Sequence, residues 1–429
     1  MNSSISTTSR FALLKYDVLL WVLSVPLIIF TLGQAVRRGG LRYALQRLGL
    51  TIPRFTQRPL WLHAASVGEV IAALPLIERL QARYPEATLV ISTTTATGAA
   101  VAAARLPAHI THVYLPIDWH SAVGRFLRAL QPRCALIMET ELWPNLYHHC
   151  NAAGIPLLLI NGRLSARTLH AGTWMRGVYG ATLAQVDAVL ARSEADRTAF
   201  IELGAAATRV TVIGNIKFSA VTHGREPNPI KIDRPYFLAA STHDNEEIQL
   251  AHLWQNLARE SHLLVIAPRH PQRAKNILQQ LAATQLKVAV RSRGDAVTAQ
   301  TDVYLADTLG ELPALINGAE LVFMGGSLVP VGGHNILEPA RAGKATVFGP
   351  HMRNFAEEAR ALLAADAAVQ VRDVTELHEH ITRLLDDPQR RKELGEHAQA
   401  LLLQHADVAD RYLAAVIHHC KLNTPVSPQ

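Results

Sequence analysis

The sequence predicts an α/β protein: two open parallel-sheet domains joined by one linker, with a hydrophobic segment ahead of the first. Three observations lead there. The chain has 429 residues, 49% of them hydrophobic, which is more than one ordinary domain core accommodates. From residue 59, short apolar runs alternate with amphipathic stretches, as in a parallel sheet covered by helices on both faces. That rhythm breaks at residues 221–235, VTHGREPNPIKIDRP, where three prolines, a glycine and mixed charge read as a linker, and then resumes. The division this gives is 1–50 for the hydrophobic segment and its basic flank and 51–222 for the first domain. The linker follows at 223–235, the second domain at 236–415 and a flexible tail at 416–429.

Each element follows from its local pattern. In the first domain PLWLHAA, ATLVISTTT, HITHVYLPID, CALIMETE, IPLLLINGRLS, VDAVLARS and VTVIGN read as strands. Between them SVGEVIAALPLIERLQARYP carries apolar residues at three- and four-residue spacing, and SAVGRFLRALQP ends at a proline, so both read as helices. In the second domain YFLAAST, LLVIAPRH, LKVAVRS, VYLADT, ELVFMGGS and ATVFGP are the strands. EEIQLAHLWQNLA, RAKNILQQLAA, LPALINGA and NILEPARAG are helical, and residues 375–416 read as helical throughout. Two such domains create a cleft, and ligands of open parallel sheets sit beyond the carboxyl ends of the strands. Functional residues are therefore sought just after strands.

Residues 18–33, VLLWVLSVPLIIFTLG, form an apolar run bounded by Asp17 and interrupted by Pro26. A spanning helix needs roughly 20 residues, so the run sits at the lower edge. Arg37, Arg38, Arg42 and Arg47 follow it, and that bias places the rest of the chain on the cytoplasmic side. A membrane anchor, an embedded hairpin and a buried N-terminal helix all fit the run. No cleavage motif marks a removed signal peptide.

The 42 Lys and Arg exceed the 35 Asp and Glu by seven. Such a balance suits nucleic acid, an acidic lipid surface or a phosphorylated substrate. Aromatics make up only 6% of the chain and no basic block carries aromatic platforms, which argues against nucleic acid. Cys134, Cys150 and Cys420 form no CxxC pair and no metal spacing, as expected of a reducing compartment. His63, His243, His270, His334 and His351 lie in different segments without an HExxH motif, so no metal is expected. Neither GxGxxG after the early strands nor GxxxxGK[ST] is present.

Several exits hold chemistry-bearing residues. In WLHAASVGEV, Glu69 enters a helix just after a strand. It is either a favourable helix-start carboxylate or a general base, and a helix start would keep it ionised in both cases. Glu139 and Glu141 follow the strand CALIM at i, i+2, and either could order a loop or accept a substrate hydroxyl. Arg163 in NGRLS and Lys217 in GNIKF would attract phosphate or carboxylate. In PRHPQR, Arg269 could grip an anion bidentately, with His270 beside it. In GGSLVPVGGHNILEPA, glycines let backbone amides approach a ligand, and Asn335 with Glu338 fits either a capping pair or an anion site ending in a carboxylate for ribose hydroxyls.

Taken in order, HAASVGEV (63–70), ISTTTATG (91–98), ETELWPN (139–145), NGRLS (161–165), RSEAD (192–196), GNIKF (214–218), AAST (239–242), PRHPQR (268–273) and GGHNILEPA (332–340) resemble the 3-deoxy-D-manno-octulosonic acid (Kdo) transferases of lipopolysaccharide assembly. The resemblance runs from about residue 11 to 410. It implies two Rossmann-like domains facing across a cleft, the GT-B arrangement. It also implies CMP-Kdo as donor and lipid IVA as acceptor, an inverting transfer to the acceptor's 6′-hydroxyl, and in many members a second Kdo. No metal or other cofactor is implied. By position, Glu69 matches the general base. Glu139, Glu141, Arg163 and Lys217 fall on the acceptor side. Ser241, Arg269, His270, Gly326, Ser327, Asn335 and Glu338 fall on the donor side. The expected location is the cytoplasmic face of the inner membrane, against its anionic surface. The rival readings are a membrane-associated GT-B enzyme using a UDP-sugar and a non-catalytic lipid-binding protein.

Overall fold

A computed structural model describes residues 7–221, 230, 232–257 and 261–422. Two compact units divide the chain: Met1–Ala220 together with Asp407–Gln429, and Val221–Ala406.

The first unit holds seven strands, β1 (Leu60–His63), β2 (Leu89–Thr93), β3 (Thr111–Tyr114), β4 (Cys134–Met138), β5 (Leu157–Gly162), β6 (Ala188–Ala191) and β7 (Val210–Val212). All pairings are parallel, in the order β3-β2-β1-β4-β5-β6-β7. Both faces are covered, so β1 is apolar until its last residue. Leu60 and Leu62 join one core, and Trp61 joins the opposite one beside Phe126 and Leu127. The second unit repeats the design with β8 (Tyr236–Thr242), β9 (Leu263–Pro268), β10 (Val288–Val290), β11 (Val303–Leu305), β12 (Leu321–Met324), β13 (Ala345–Phe348) and β14 (Val369–Gln370), ordered β10-β11-β9-β8-β12-β13-β14 and again all parallel. In each sheet the winding direction reverses once, between β1 and β4 and between β8 and β12. Such switch points open a crevice at the strand ends.

The carboxyl-terminal boundary differs from expectation. The stretch 375–416 is three helices, Val374–Asp386, Pro388–Gln404 and Val408–His419. Pro388 holds the preceding Asp387 extended, at φ −119° and ψ 83°, which breaks the first from the second. The last helix belongs to the first unit. Val408, Ala409, Tyr412 and Val416 pack into the core beneath β1, and Tyr412 Oη donates to the carbonyls of Gly214 at 2.9 Å and Leu190 at 3.3 Å. Residues 408–415 therefore complete the first domain, and 416–419 are helix where a tail was expected. Most of the expected linker, and tail residues 423–429, lie outside the described residues. The short strand β14 and the helices Thr173–Leu183 and Ala356–Ala364 carry too little periodicity to be read beforehand.

The N-terminal segment forms the helices Thr7–Val22, Ser24–Gln34 and Gly40–Arg47. Among the described residues no single helix is long and apolar enough to cross a membrane. Phe11–Val22 and Ser24–Arg47 together pass in length and composition, but bend by 57° at their break. Polar residues fasten the segment to the domain. Tyr16 Oη donates to Asp118 Oδ2 at 3.0 Å, and Asp17 Oδ1 accepts from Asn145 Nδ2 at 2.9 Å. Arg42 and Arg47, from the basic flank of the apolar run, donate to the carbonyls of His112 and Leu115, and Gln46 Oε1 accepts from Tyr114 N at 2.8 Å. These bonds occupy the open edge of β3, which would otherwise invite pairing with another chain.

Candidate active site

In the first domain the polar residues collect at the β1/β4 switch point. Ser66 caps the helix Val67–Arg83. Its Oγ accepts from Glu69 N at 3.4 Å and donates to Glu69 Oε1 at 2.9 Å, while Glu69 Oε2 accepts from Ala65 N at 2.8 Å. The Ser–Glu pair is a capping box, here with the carboxylate reaching back one residue beyond the cap. The helix start does not keep Glu69 ionised, contrary to the sequence reading. Burial penalises its charged form most, the negative charges of Glu139 and Glu141 add to this, and together they outweigh the Ala65 and Ser66 hydrogen bonds. The carboxyl is raised to about 8.

Glu139 sits directly after β4 in the left-handed conformation, at φ +54°. Its buried carboxylate is gripped by Arg163 Nε at 2.6 Å and Lys217 Nζ at 3.0 Å. Burial pushes this carboxyl up, but Lys217 and then Arg163 pull it below the usual range. The two cations expected to attract substrate are thus first of all partners of Glu139. Glu141 is likewise lowered, burial being outweighed by His63, Trp143 and Arg47. Trp143 Nε1 donates to Glu141 Oε2 at 2.7 Å. His63 is fully buried, and Ser92 Oγ lies 2.8 Å from both its Nδ1 and Trp61 Nε1. The indole can only donate, so Ser92 Oγ accepts from it, and His63 Nε2 lies 3.7 Å from Glu141 Oε2. Two ionised carboxylates and one with raised proton affinity therefore share one site, an arrangement suited to taking a proton near neutral pH.

In the second domain the β8/β12 switch point is built around a residue that the sequence reading missed. Glu246 is fully buried and accepts four backbone N–H bonds. His243 N at 2.9 Å and Gly326 N at 2.7 Å go to Oε2, and Ser327 N and Leu328 N, each at 3.0 Å, go to Oε1. Successive amides of this kind form an anion nest, and here the chain fills its own nest. The amides of Gly326 and Ser327, expected to meet the donor, are engaged internally. Ser241, the bulged residue of β8, is held at φ +55°, a backbone strain of the kind concentrated at functional sites.

Above the nest, His243 Nε2 and His334 Nε2 lie 2.8 Å apart, and Arg269 and His270 follow β9 beside them. Arg273 does not join them in facing a ligand; it binds Glu247 and Asp244, each at 2.8 Å. The expected helix start at Asn335 is a single short helix, Leu337–Arg341. Asn335 Oδ1 accepts from Leu337 N at 3.2 Å and its Nδ2 donates to Glu338 Oε1 at 3.1 Å, so these two residues form a capping pair. Among the described residues no three metal-ligating side chains converge.

Gly326 sits at φ +65°, and a Cβ there would lie 3.1 Å from His334 and 3.3 Å from His243. Gly326→Ala is expected to cost about 1–2 kcal/mol from the left-handed backbone alone and to push the two rings apart. Thermal unfolding and nucleotide binding measured together check this.

Comparison with known proteins identifies the setting. A family described as 3-Deoxy-D-manno-octulosonic-acid transferase (kdotransferase) matches residues 42–220. The 3-deoxy-D-manno-octulosonic acid transferase of Bordetella pertussis is 34% identical over 91% of this chain and 96% of its own. The chain belongs to the Kdo transferase family. The Kdo transferase of Haemophilus influenzae is likewise 34% identical, over 82% of this chain and 85% of its own. A putative UDP-N-acetylglucosamine 2-epimerase from Listeria monocytogenes, 15% identical, aligns over 86% of this chain and 98% of its own with a TM-score of 0.60. A glycosyltransferase from Rickettsia africae, 11% identical, aligns over 86% and 100% with a TM-score of 0.58. These likenesses show the fold, two parallel-sheet α/β domains of the GT-B type. As a Kdo transferase the chain is a glycosyltransferase that moves Kdo in lipopolysaccharide synthesis.

Proposed function

We propose that this Kdo transferase moves Kdo from CMP-Kdo to the 6′-hydroxyl of lipid IVA with inversion at the anomeric carbon, using Glu69 as general base. The observation that carries this reading is Glu69 itself. Its carboxyl is fixed by Ser66 and Ala65 and raised to about 8 beside two ionised carboxylates, so it takes a proton readily near neutral pH. The acceptor oxygen bonds to the anomeric carbon as its proton passes to Glu69, and the bond to the CMP phosphate breaks. Glu139 and Glu141 stay ionised and keep the proton affinity of Glu69 high. Arg269 offers charge and His270 a ring nitrogen to the donor from the end of β9, while Ser241, Gly326, Ser327, Asn335 and Glu338 shape the donor loops. A second transfer repeats the same chemistry on a hydroxyl of the first Kdo. The decisive experiment incubates full-length protein with lipid IVA and either CMP-Kdo or UDP-sugars, and reads product mass. Turnover with a UDP-sugar alone overturns the donor assignment, and the mass gives the number of Kdo units added.

The same reading places the protein on the cytoplasmic face of the inner membrane. Phe11, Trp21, Val25, Ile29 and Phe30 are each at least 60% exposed, an apolar surface of the kind that meets lipid. Trp21→Asp combined with Phe30→Asp is expected to reduce co-sedimentation with anionic phospholipid vesicles several-fold while leaving the fold intact. Equal sedimentation of variant and wild type would show that this face does not bind lipid.

A further inference from the structure

We propose that His243 and His334 act as one protonatable pair that receives the phosphate of the departing nucleotide and supplies its proton. The proposal rests on the CMP-Kdo reading above and adds the leaving-group half of the reaction.

The geometry carries it. The two Nε2 atoms are 2.8 Å apart and the ring planes agree within 6°. A contact of this kind needs one N–H and one bare nitrogen, so the neutral pair holds a single hydrogen between its facing nitrogens. One added proton leaves that bridge in place and gives both Nδ1 atoms a hydrogen. A second would set two N–H groups face to face. The pair is therefore built to exchange one proton.

Its surroundings favour the neutral form while no anion is present. Burial first, and then Arg269, His243 and His270, lower His334 to about 4. Burial, His270, Arg273 and Arg269 lower His243 in the same direction. Below the pair, Glu246 accepts from His243 N and Gly326 N, and Arg273 is itself paired with Glu247 and Asp244. Burial holds protons off the pair first, and the neighbouring positive charges add to it; an incoming phosphate would neutralise those charges and itself attract the proton. Donor binding thus brings one proton onto the pair. When the bond from the anomeric carbon to the phosphate oxygen breaks, its electron pair stays on that oxygen, which takes the proton from a pair Nδ1. The acceptor hydroxyl proton goes to Glu69 and the new C–O bond forms. No oxidant or further reactant is needed, and both groups later exchange with water.

The test is calorimetric titration of full-length protein with CMP at pH 8, in buffers of different ionisation enthalpy, which counts protons taken up. The wild type is expected to take up about one proton per CMP bound. His334→Gln and His243→Gln, which keep a polar amide but cannot hold the proton, are expected to take up almost none, and to lower kcat with CMP-Kdo more than they raise KM. Wild-type binding without proton uptake, or undiminished uptake in both variants, would overturn the proposal. Binding of UMP but not CMP by the wild type would instead overturn the donor reading, and the pair would then be tested by the same titration with UMP.

Discussion

Glu69→Gln is expected to lower kcat by about 10²–10⁴-fold, the usual contribution of a positioned general base, with little change in the binding of CMP. Glutamine keeps the size of the side chain. Its carbonyl oxygen can still accept from Ala65 N or Ser66 Oγ, so the capping interactions at the start of the helix Val67–Arg83 are largely retained. What it loses is the ability to take a proton. A folded Glu69→Gln protein that transfers Kdo at the wild-type rate would remove the base from the mechanism.

The pH profile gives an independent check. If Glu69 must be ionised to act, wild-type kcat at saturating donor rises with pH about tenfold per unit and levels off near 8. Stability moves the opposite way. The folded-state carboxyl lies above its unfolded value of 4.5, so its contribution to stability is fully present below about pH 4.5 and is lost as pH rises through about 8. Glu69→Gln carries no such titration. Its Tm relative to wild type is therefore expected to increase between pH 5 and 9. Activity and stability are coupled here through one proton. Glu139 and Glu141 repel the charge that catalysis requires, which makes the ionised base stronger and the folded state less stable.

Much of this was legible in the sequence because parallel sheets write themselves plainly. Strands buried on both faces are continuous apolar runs, and a helix such as Val67–Arg83 repeats at helical spacing. The positions of Glu69, Glu139, Arg269 and Asn335 at strand exits follow from that alone. What sequence could not give is what those residues touch. Local patterning placed Glu69 at a stabilising helix start, but its charge state is set by Glu139 and Glu141, some 70 residues away in the chain. Arg163 and Lys217 looked like substrate cations until Glu139 lay between them. Arg42 and Arg47 read as a basic flank of the apolar run until they met the edge of β3. The helix Val408–His419 has the same amphipathic pattern wherever it packs, so its return to the first domain left no local mark. Glu246 left only a faint one, as the first acid of a helix that directly follows β8.

Glu246→Ala is the second large effect expected. It leaves the amides of His243, Gly326, Ser327 and Leu328 without their acceptor in a buried site. Unmade buried bonds cost roughly 1–3 kcal/mol each. Relaxation and entering water recover part of this, so a net loss of about 3–5 kcal/mol is expected, similar to breaking a buried ion pair. The informative comparison is Glu246→Gln, which has nearly the same volume. Each carboxylate oxygen accepts two N–H groups, and glutamine replaces one oxygen with an NH₂ that faces donors it cannot accept from. If acceptor capacity holds the loop, Gln loses at least half of what Ala loses in urea unfolding, and both lose CMP affinity as the His243–His334 pair separates. If packing holds it, Gln behaves as wild type and only Ala falls.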